Sequence, residues 1–361
     1  MFISLDGREE RVADVVHASV RDASSTSIER ILRFMIRMTV LASGSKGNST
    51  IVSTSRTRIL IDAGLSCREL FKRMLIAGED PRSLDAILIT HEHQDHVQGL
   101  SVTARKLGIP VFFTEPTHRA WMRWMVPRKR MTYADWLAQR QQEAARRAAE
   151  PSTPPEPGSG GPSEILAEPS SGDAVLAECA AEEEEMQAEQ PDPCALPGVE
   201  YFRAGSEFQI GDIEVTAFTI PHDAADPVGF ILKSEGIRLG IATDLGYMPS
   251  NVQVHLRGCD VLMLESNHDV EMLRDGPYPW SVKQRVMSRV GHLSNDATAE
   301  FLEKNYDGYA TYVILAHLSE SNNLPELARV AAERALRDRM SLLANKLVLA
   351  EQYRPTESIL F

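Results

Sequence analysis

The chain has no apolar run approaching the roughly 20 residues of a membrane-spanning helix, so no span is expected. Its first ten residues, Met1 to Glu10, lack the basic stretch and apolar stretch of a secretory signal. Cysteine is scarce: Cys67, Cys179, Cys194 and Cys259 are the only four, none in CxxC spacing. That argues against a disulfide framework and fits a reducing cytoplasm. The G-x-x-x-x-G-K-[ST] spacing of a phosphate-binding P-loop is absent. Histidine is also sparse, ten in 361 residues, and the first positive signal is that three of them fall within His91–His96.

The stretch Thr90-His91-Glu92-His93-Gln94-Asp95-His96 follows an apolar run, Ala86–Ile89, that reads as a buried strand. Imidazole and carboxylate are ligands for Zn²⁺ and Mn²⁺. In extended backbone, side chains two apart point the same way, so His91 and His93 can converge on one ion. Asp95 and His96 follow where the chain must turn, and can serve a second. A strand that stops where such residues begin puts them at the carboxyl edge of a sheet, where α/β folds keep their chemistry.

The composition, 43% apolar and 25% charged, is that of a globular protein, and its length allows one large α/β domain or two small ones. The net charge of −13 is concentrated. Twelve of the 51 acidic residues lie between Glu150 and Pro193, where no Lys or Arg occurs; elsewhere 38 basic residues face 39 acidic ones. The rest of the chain is near neutral, which leaves room for a basic groove and an anionic substrate.

In order along the chain, residues 1–37 are expected to be a mobile extension, or an upstream addition with Met38 as the natural start; the alternative is an ordinary N-terminal helix, over Ile28–Ile36, packed on the domain. Strands are expected at Met38–Leu41, Thr50–Ser53 and Arg58–Ile61, with a Gly/Ser turn Ala42–Ser49 whose N–H and hydroxyl groups could touch a phosphate. Helices follow at Cys67–Ala77 and Val97–Leu107, and a strand at Ile109–Phe113. From about 128 to 200 the sequence turns to Ala/Glu/Gln and then to Pro, Gly and Ser, the signature of an inserted disordered segment, opening with a helical extension Tyr133–Ala149. Order resumes near Ser206. Strands are read at Ile213–Ile220, Val228–Lys233, Arg238–Thr243, Val261–Glu265, Tyr312–Leu315 and Lys346–Leu349. Helices are read at Pro279–Val290, Asn295–Lys304 and Pro325–Leu336. Two β-rich halves with helices predict an α/β fold, a four-layer αβ/βα sandwich over 38–361 with its site at the sheet edges.

Three more strand ends offer ligands: His222 after Ile220, Asp244 after Ala242, and His317 after Leu315. Each alone is as well explained by a helix cap or a core residue. Their joint placement points to ligation, with Asp244 suited to bridging two ions and Asp62 to orienting a ligand histidine.

This order of Asp, H-x-H-x-D-H, His, Asp and His resembles the metallo-β-lactamase fold superfamily, at Asp62; His91, His93, Asp95 and His96; His222; Asp244; and His317. Finer strings resemble its YycJ/WalJ (VicX) branch: Ser43-Gly44-Ser45-Lys46-Gly47-Asn48-Ser49, Pro221-His222-Asp223-Ala224, Gly291-His292-Leu293-Ser294-Asn295, and His317-Leu318-Ser319-Glu320-Ser321-Asn322-Asn323. The resemblance implies a cytoplasmic bacterial hydrolase whose relatives are associated with exonuclease action on double-stranded DNA and with cell-wall or division signalling. It implies two divalent ions, Zn²⁺ or Mn²⁺: His91, His93 and His222 hold one, Asp95, His96 and His317 the other, and Asp244 bridges. Asp95 orients the nucleophile. His292 resembles the histidine that protonates the leaving group or holds phosphate in tRNase Z relatives, although its setting also fits a helix start capped by Ser294 or Asn295. Ser45, Asn48 and Asn322 are candidate substrate contacts.

Only 72 residues separate Asp244 from His317, too few for the extra domain of β-CASP nucleases, and only 21 separate His222 from Asp244, where tRNase Z carries its flexible arm. A compact phosphodiesterase or nuclease remains, with nucleic acid or another phosphodiester as partner. A small-molecule cyclic phosphodiesterase, or a regulatory binding protein using the acidic insertion as its arm for another protein, are the alternatives. A homo-oligomer stays open.

Overall fold

The computed structural model describes residues 36–125, 136–138, 140–142, 192–343 and 346–361. Residues 1–35, and with them nearly all of the expected extension, lie outside the described residues, as does most of the 128–200 insertion. Of the helix expected at Tyr133–Ala149 only 136–138 and 140–142 are described, and these are helical. Met1–Met122 and Leu196–Phe361 form one compact unit, and Arg123–Ala195 a second.

The first half of the larger unit runs β1 (Arg37–Ala42), β2 (Ser49–Ser53), β3 (Arg58–Ile61), α1 (Cys67–Ile76), β4 (Ala86–Leu88), α2 (Gln94–Val97), α3 (Leu100–Leu107), β5 (Val111–Thr114) and α4 (Glu115–Met125). The second runs β6 (Val199–Phe202), β7 (Glu207–Ile210), β8 (Ile213–Thr219), β9 (Val228–Ser234), β10 (Ile237–Ala242), α5 (Ser250–His255), β11 (Val261–Glu265), α6 (Val270–Asp275), α7 (Trp280–Val286), α8 (Asn295–Lys304), β12 (Tyr312–Ala316), α9 (Pro325–Leu343), β13 (Lys346–Leu349) and β14 (Ile359–Leu360).

Two seven-stranded sheets result, ordered β14-β1-β2-β3-β4-β5-β6 and β13-β12-β11-β10-β9-β8-β7. One apolar core lies between them, where Val40, Val52, Ile59 and Leu88 meet Val215, Phe230, Ile241 and Met263. A second joins Phe218, Ile231, Leu262 and Leu264 to Val252, Phe301, Ala328 and Leu336 on α5, α8 and α9. Leu70 and Met74 of α1 and Leu100 and Ala104 of α3 are buried as well. The layers are helix, sheet, sheet, helix: an αβ/βα sandwich. Central strands are buried on both faces, which is why they read as continuous apolar runs instead of alternating ones.

The pairing of the strands positions the site. β3 and β4 are parallel, and so are β10, β11 and β12. Their carboxyl ends share one edge, so Asp62, the 90–96 loop, Asp244, Glu265 and His317 emerge together.

Some boundaries differ from the sequence reading. The helix expected at Val97–Leu107 is two helices, α2 and α3, broken at Gly99, whose Cα lies so close to the Leu65 carbonyl that a Cβ would overlap it. The helix expected at Pro279–Val290 stops at Val286, whose carbonyl takes the His292 N–H at 2.9 Å. Order resumes at β6, earlier than Ser206. Ile36 is buried in the core and Arg37 opens β1, its Nε 3.1 Å from Glu79, so the folded part begins before Met38.

Candidate metal centre

Three residues of the site adopt left-handed backbone that side chains rarely take: Asp62 at φ 59°, Asp244 at φ 61° and His317 at φ 55°. Each immediately follows a strand or lies within two residues of its end, and such strain, of order 1–3 kcal/mol, persists only where the surroundings over-determine it. Those surroundings are specific. The Asp62 carboxylate accepts from Thr90 N at 2.9 Å and Thr90 Oγ1 at 2.8 Å. The His317 N–H donates to Ser43 Oγ at 2.7 Å, and its carbonyl accepts from Asn267 Nδ2 at 2.8 Å.

The 90–96 loop is held by backbone. Asn48 N donates to the Asp95 carbonyl at 2.7 Å, Ala63 N to the His96 carbonyl at 2.8 Å, and Gly64 N to the Asn48 carbonyl at 3.0 Å. Gly64 has no side chain because a Cβ there would overlap the Asp95 carbonyl oxygen.

The expected ligand residues come together. Nitrogens of His91, His93 and His222 converge within 4.8 Å of one another, and so do ligand atoms of Asp95, His96 and His317. Asp244 joins His91 and His96 in a third such group, and Glu265, His292 and His317 in a fourth. Asp244 Oδ2 is 3.5 Å from His96 Nε2, and Asp95 Oδ2 is 3.4 Å from His96 Nε2 and 3.5 Å from His317 Nε2.

Four of the five ligand imidazoles have one nitrogen fixed from behind. His96 Nδ1 donates to Asp62 Oδ2 at 2.8 Å, the orienting contact expected of Asp62. His91 Nδ1 is 3.0 Å from Thr90 Oγ1, and His222 Nδ1 donates to the Gly291 carbonyl at 3.2 Å. His317 Nδ1 donates to Glu265 Oε1 at 2.9 Å. The opposite nitrogens then face the centre, with His222 Nε2 3.2 Å from His93 Nδ1. Three buried atoms that point inward, His91 Nε2, Asp244 Oδ2 and His317 Nε2, have no hydrogen-bond partner. Buried polar atoms are rarely left so, since each would lose about 1–3 kcal/mol of solvation uncompensated. Bound divalent metal would satisfy them, and the nitrogen and carboxylate donor set fits such ions.

Charge agrees with that arrangement. Burial alone would raise the Asp244 carboxyl, but the His317 and His96 imidazoles outweigh it and hold the group well below the usual carboxylate range. Asp95 is likewise lowered: His96 and His317 overcome its burial. Burial and the His96 charge keep His91 well below the ordinary imidazole value, so it is neutral and its Nε2 lone pair is free.

Sequence reasoning missed Glu265, the last residue of β11 and fully buried. Its Oε1 accepts from His292 Nδ1 at 2.7 Å as well as from His317, and its Oε2 accepts from Leu245 N at 2.9 Å and Leu293 N at 3.1 Å. The two imidazoles outweigh burial and bring its pKa down to about 2. A carboxylate ending an otherwise apolar strand, Val261-Leu262-Met263-Leu264-Glu265, was the signal, the same one that marks Asp62 and Asp244.

The candidate substrate contacts fare differently. Ser45 is exposed on its turn. Asn48 is buried, and its Nδ2 donates to Asp95 Oδ2 at 3.0 Å, so it acts on Asp95. Asn322 is buried as well: its carbonyl takes the Asp269 N–H at 2.9 Å and its Nδ2 reaches Ser319 Oγ at 3.4 Å, contacts that build its own loop.

Among the described residues no helix is long and apolar enough to cross a membrane. The profile of the metallo-beta-lactamase superfamily matches residues 42–274. The chain is 31% identical over 307 residues to the exodeoxyribonuclease YycJ of Bacillus anthracis, covering 84% of this chain and 90% of that protein. It is 30% identical over 294 residues to the exodeoxyribonuclease WalJ of Streptococcus pneumoniae, covering 81% and 86%. Among solved structures, Zn²⁺-bound PqqB from Methylobacterium extorquens has the same fold, with a TM-score of 0.51 at 14% identity over 89% of this chain and 99% of that one. The chain belongs to the metallo-beta-lactamase superfamily, within the branch of YycJ and WalJ, and is a metal-dependent hydrolase.

Proposed function

We propose that the chain is a dinuclear phosphodiesterase that degrades DNA. His91, His93 and His222 would hold one divalent ion, Asp95, His96 and His317 would hold the second, and Asp244 would serve as a ligand shared by the two. The observation that carries this reading is the convergence of ligand atoms from four segments of the chain, three of them buried and without a hydrogen-bond partner. The exodeoxyribonuclease names of the YycJ and WalJ relatives favour DNA as the substrate.

When bound, a pair of Zn²⁺ or Mn²⁺ ions supplies Lewis-acid charge and an acidified water for in-line attack on a phosphodiester. The protein does the rest. Asn48 holds Asp95 by its Oδ2, and Asp95 takes a hydrogen bond from the attacking water and aims it. His292 acts at the other end. Burial would lower its pKa, but Glu265 raises it, so the ring holds a proton at Nδ1 on Glu265 and one at Nε2 for the departing oxygen. Glu265 positions both His292 and His317 without touching substrate.

The test is a metal-supplemented assay of purified protein on duplex DNA, single-stranded DNA, RNA and bis(p-nitrophenyl) phosphate. DNA hydrolysis is expected, and His93→Ala should reduce it to background while its circular dichroism stays native. Undiminished turnover by that variant would contradict the assignment of the ions. Turnover of bis(p-nitrophenyl) phosphate with none of the nucleic acids would transfer the chain to the small-molecule phosphodiesterases.

A further inference from the structure

The surface beside His292 differs in character from the chain as a whole. Tyr278–His292 carries Lys283, Arg285 and Arg289 and no acidic residue, in a protein of net charge −13. Trp280, at the start of α7, is 60% exposed, and Met287, seven residues and two turns later on the same stripe, is 41% exposed. Tyr247, three residues after Asp244, is 36% exposed and has the Arg289 guanidinium 4.3 Å from its ring centroid.

This surface is fixed to the metal centre. The His222 ring is bonded to the Gly291 carbonyl, and Asp223 N donates to the Val290 carbonyl at 3.1 Å. The Asp223 carboxylate pairs with Arg285. Gly246 lies so close to the Ser288 and Arg289 backbone that a Cβ would overlap it. Trp280 lies six residues before Val286, about 9 Å along the helix axis, and Val286 holds the His292 backbone.

An indole and a phenol ring left open to water, one capped by a guanidinium, offer faces on which nucleobases stack. The cations say which force leads. Lys283 is turned inward, its Nζ donating to the Arg274 and Gly276 carbonyls at 2.7 and 2.8 Å, and Arg285 is paired with Asp223. Arg289 is left for phosphate, so stacking outweighs charge. Bases inside a duplex are already stacked; those of a frayed or single strand are not.

We propose that Trp280, Tyr247 and Arg289 form a rest for a single DNA strand beside the metal centre, with bases stacked on the two aromatic rings and a backbone phosphate on Arg289. The proposal rests on the reading of the chain as a DNA phosphodiesterase and adds to it the surface that selects an unpaired strand.

The test measures binding of a labelled single strand of about 12 nucleotides, and of an abasic strand of equal length, to the full chain in EDTA by fluorescence anisotropy. It also measures kcat/KM on DNA and on bis(p-nitrophenyl) phosphate with metal. The base-bearing strand should bind at least about tenfold more tightly than the abasic one. Trp280→Ala and Tyr247→Ala should remove most of that preference and lower the ratio of DNA to bis(p-nitrophenyl) phosphate kcat/KM by about tenfold each. Arg289→Ala should weaken both strands alike. Equal binding of the two strands by the unaltered protein, or an unchanged kcat/KM ratio in both aromatic variants, overturns the proposal while leaving the nuclease reading intact. A dimer that Trp280→Ala dissociates, with the ratio unmoved, assigns the surface to a second copy and also overturns it. Failure of the unaltered protein to cleave any DNA while hydrolysing bis(p-nitrophenyl) phosphate removes the nuclease reading, and this proposal with it.

Discussion

Glu265 shows how much one buried side chain decides. Its two oxygens accept four donors, two imidazole Nδ1–H groups on one side and two backbone N–H groups on the other. Glutamine is nearly isosteric but carries an NH2 that must face one of those donor pairs. Glu265→Gln is therefore expected to tilt His292 and His317, lowering metal affinity or turnover by about 10–100-fold, the usual range for a residue that orients ligands. Metal titration and bis(p-nitrophenyl) phosphate kinetics measure it. The same residue sets an acid limb. Its folded pKa of about 2 lies below the usual glutamate value of about 4.3. A depressed carboxylate stabilises the fold above the unfolded value, and that stability drains away as pH falls from about 4 toward about 2. In metal-free protein, urea unfolding at successive pH should show a shallower loss over that window for Glu265→Gln than for the unaltered chain. Sequence reading could see the histidines because they cluster or end strands in a recognisable order. It could not see that His292 and His317 share one carboxylate, since residues 265, 292 and 317 meet only once β12 has crossed over to pair with β11.

At the scale of elements, what was legible followed from burial. β3, β11, β13 and α8 fall where the sequence placed them, because an apolar run bounded by polar residues, or Ser294 capping Ala297 N at 3.1 Å, leaves little choice. The illegible pieces were short or peripheral. β6 exposes Glu200 and Tyr201, β14 has two residues, and α5 and α6 have six each, too few for a periodic signature. The break between α2 and α3 was hidden for another reason: Gly99 reads as a tolerated helix glycine until the Leu65 backbone is placed against it. The same close packing makes a prediction at Gly64. A methyl there would meet the Asp95 carbonyl, so Gly64→Ala must push the ligand loop away from the 43–48 turn. A loss of about 1–3 kcal/mol of stability is expected from such overpacking, with weakened metal binding. Gly78→Ala, at a left-handed φ of 76° but with nothing within 4 Å, carries only the backbone strain and should leave metal binding unaltered. Thermal denaturation with and without metal separates the two.

At the scale of the whole molecule, charge and chemistry are partitioned along the chain. Every residue of the candidate centre lies within Met1–Met122 or Leu196–Phe361, whereas the twelve acidic residues between Glu150 and Pro193 belong to the separate unit Arg123–Ala195. Without those twelve the formal balance is 38 basic to 39 acidic residues. Deleting 150–193 is accordingly expected to leave bis(p-nitrophenyl) phosphate turnover within about twofold, because a small substrate meets only the metal centre and local charge. DNA is different, since a polyanion senses net charge over about 10 Å at 0.1 M salt and less at higher salt. The deletion should therefore tighten DNA binding at low ionic strength, and the gain should fade by about 0.3 M as screening shortens. A salt titration of both proteins decides it. If the gain persists at high salt, the segment blocks the cleft sterically; if small-substrate turnover collapses, the segment supplies part of the site, and the near-neutral remainder is not a catalyst by itself.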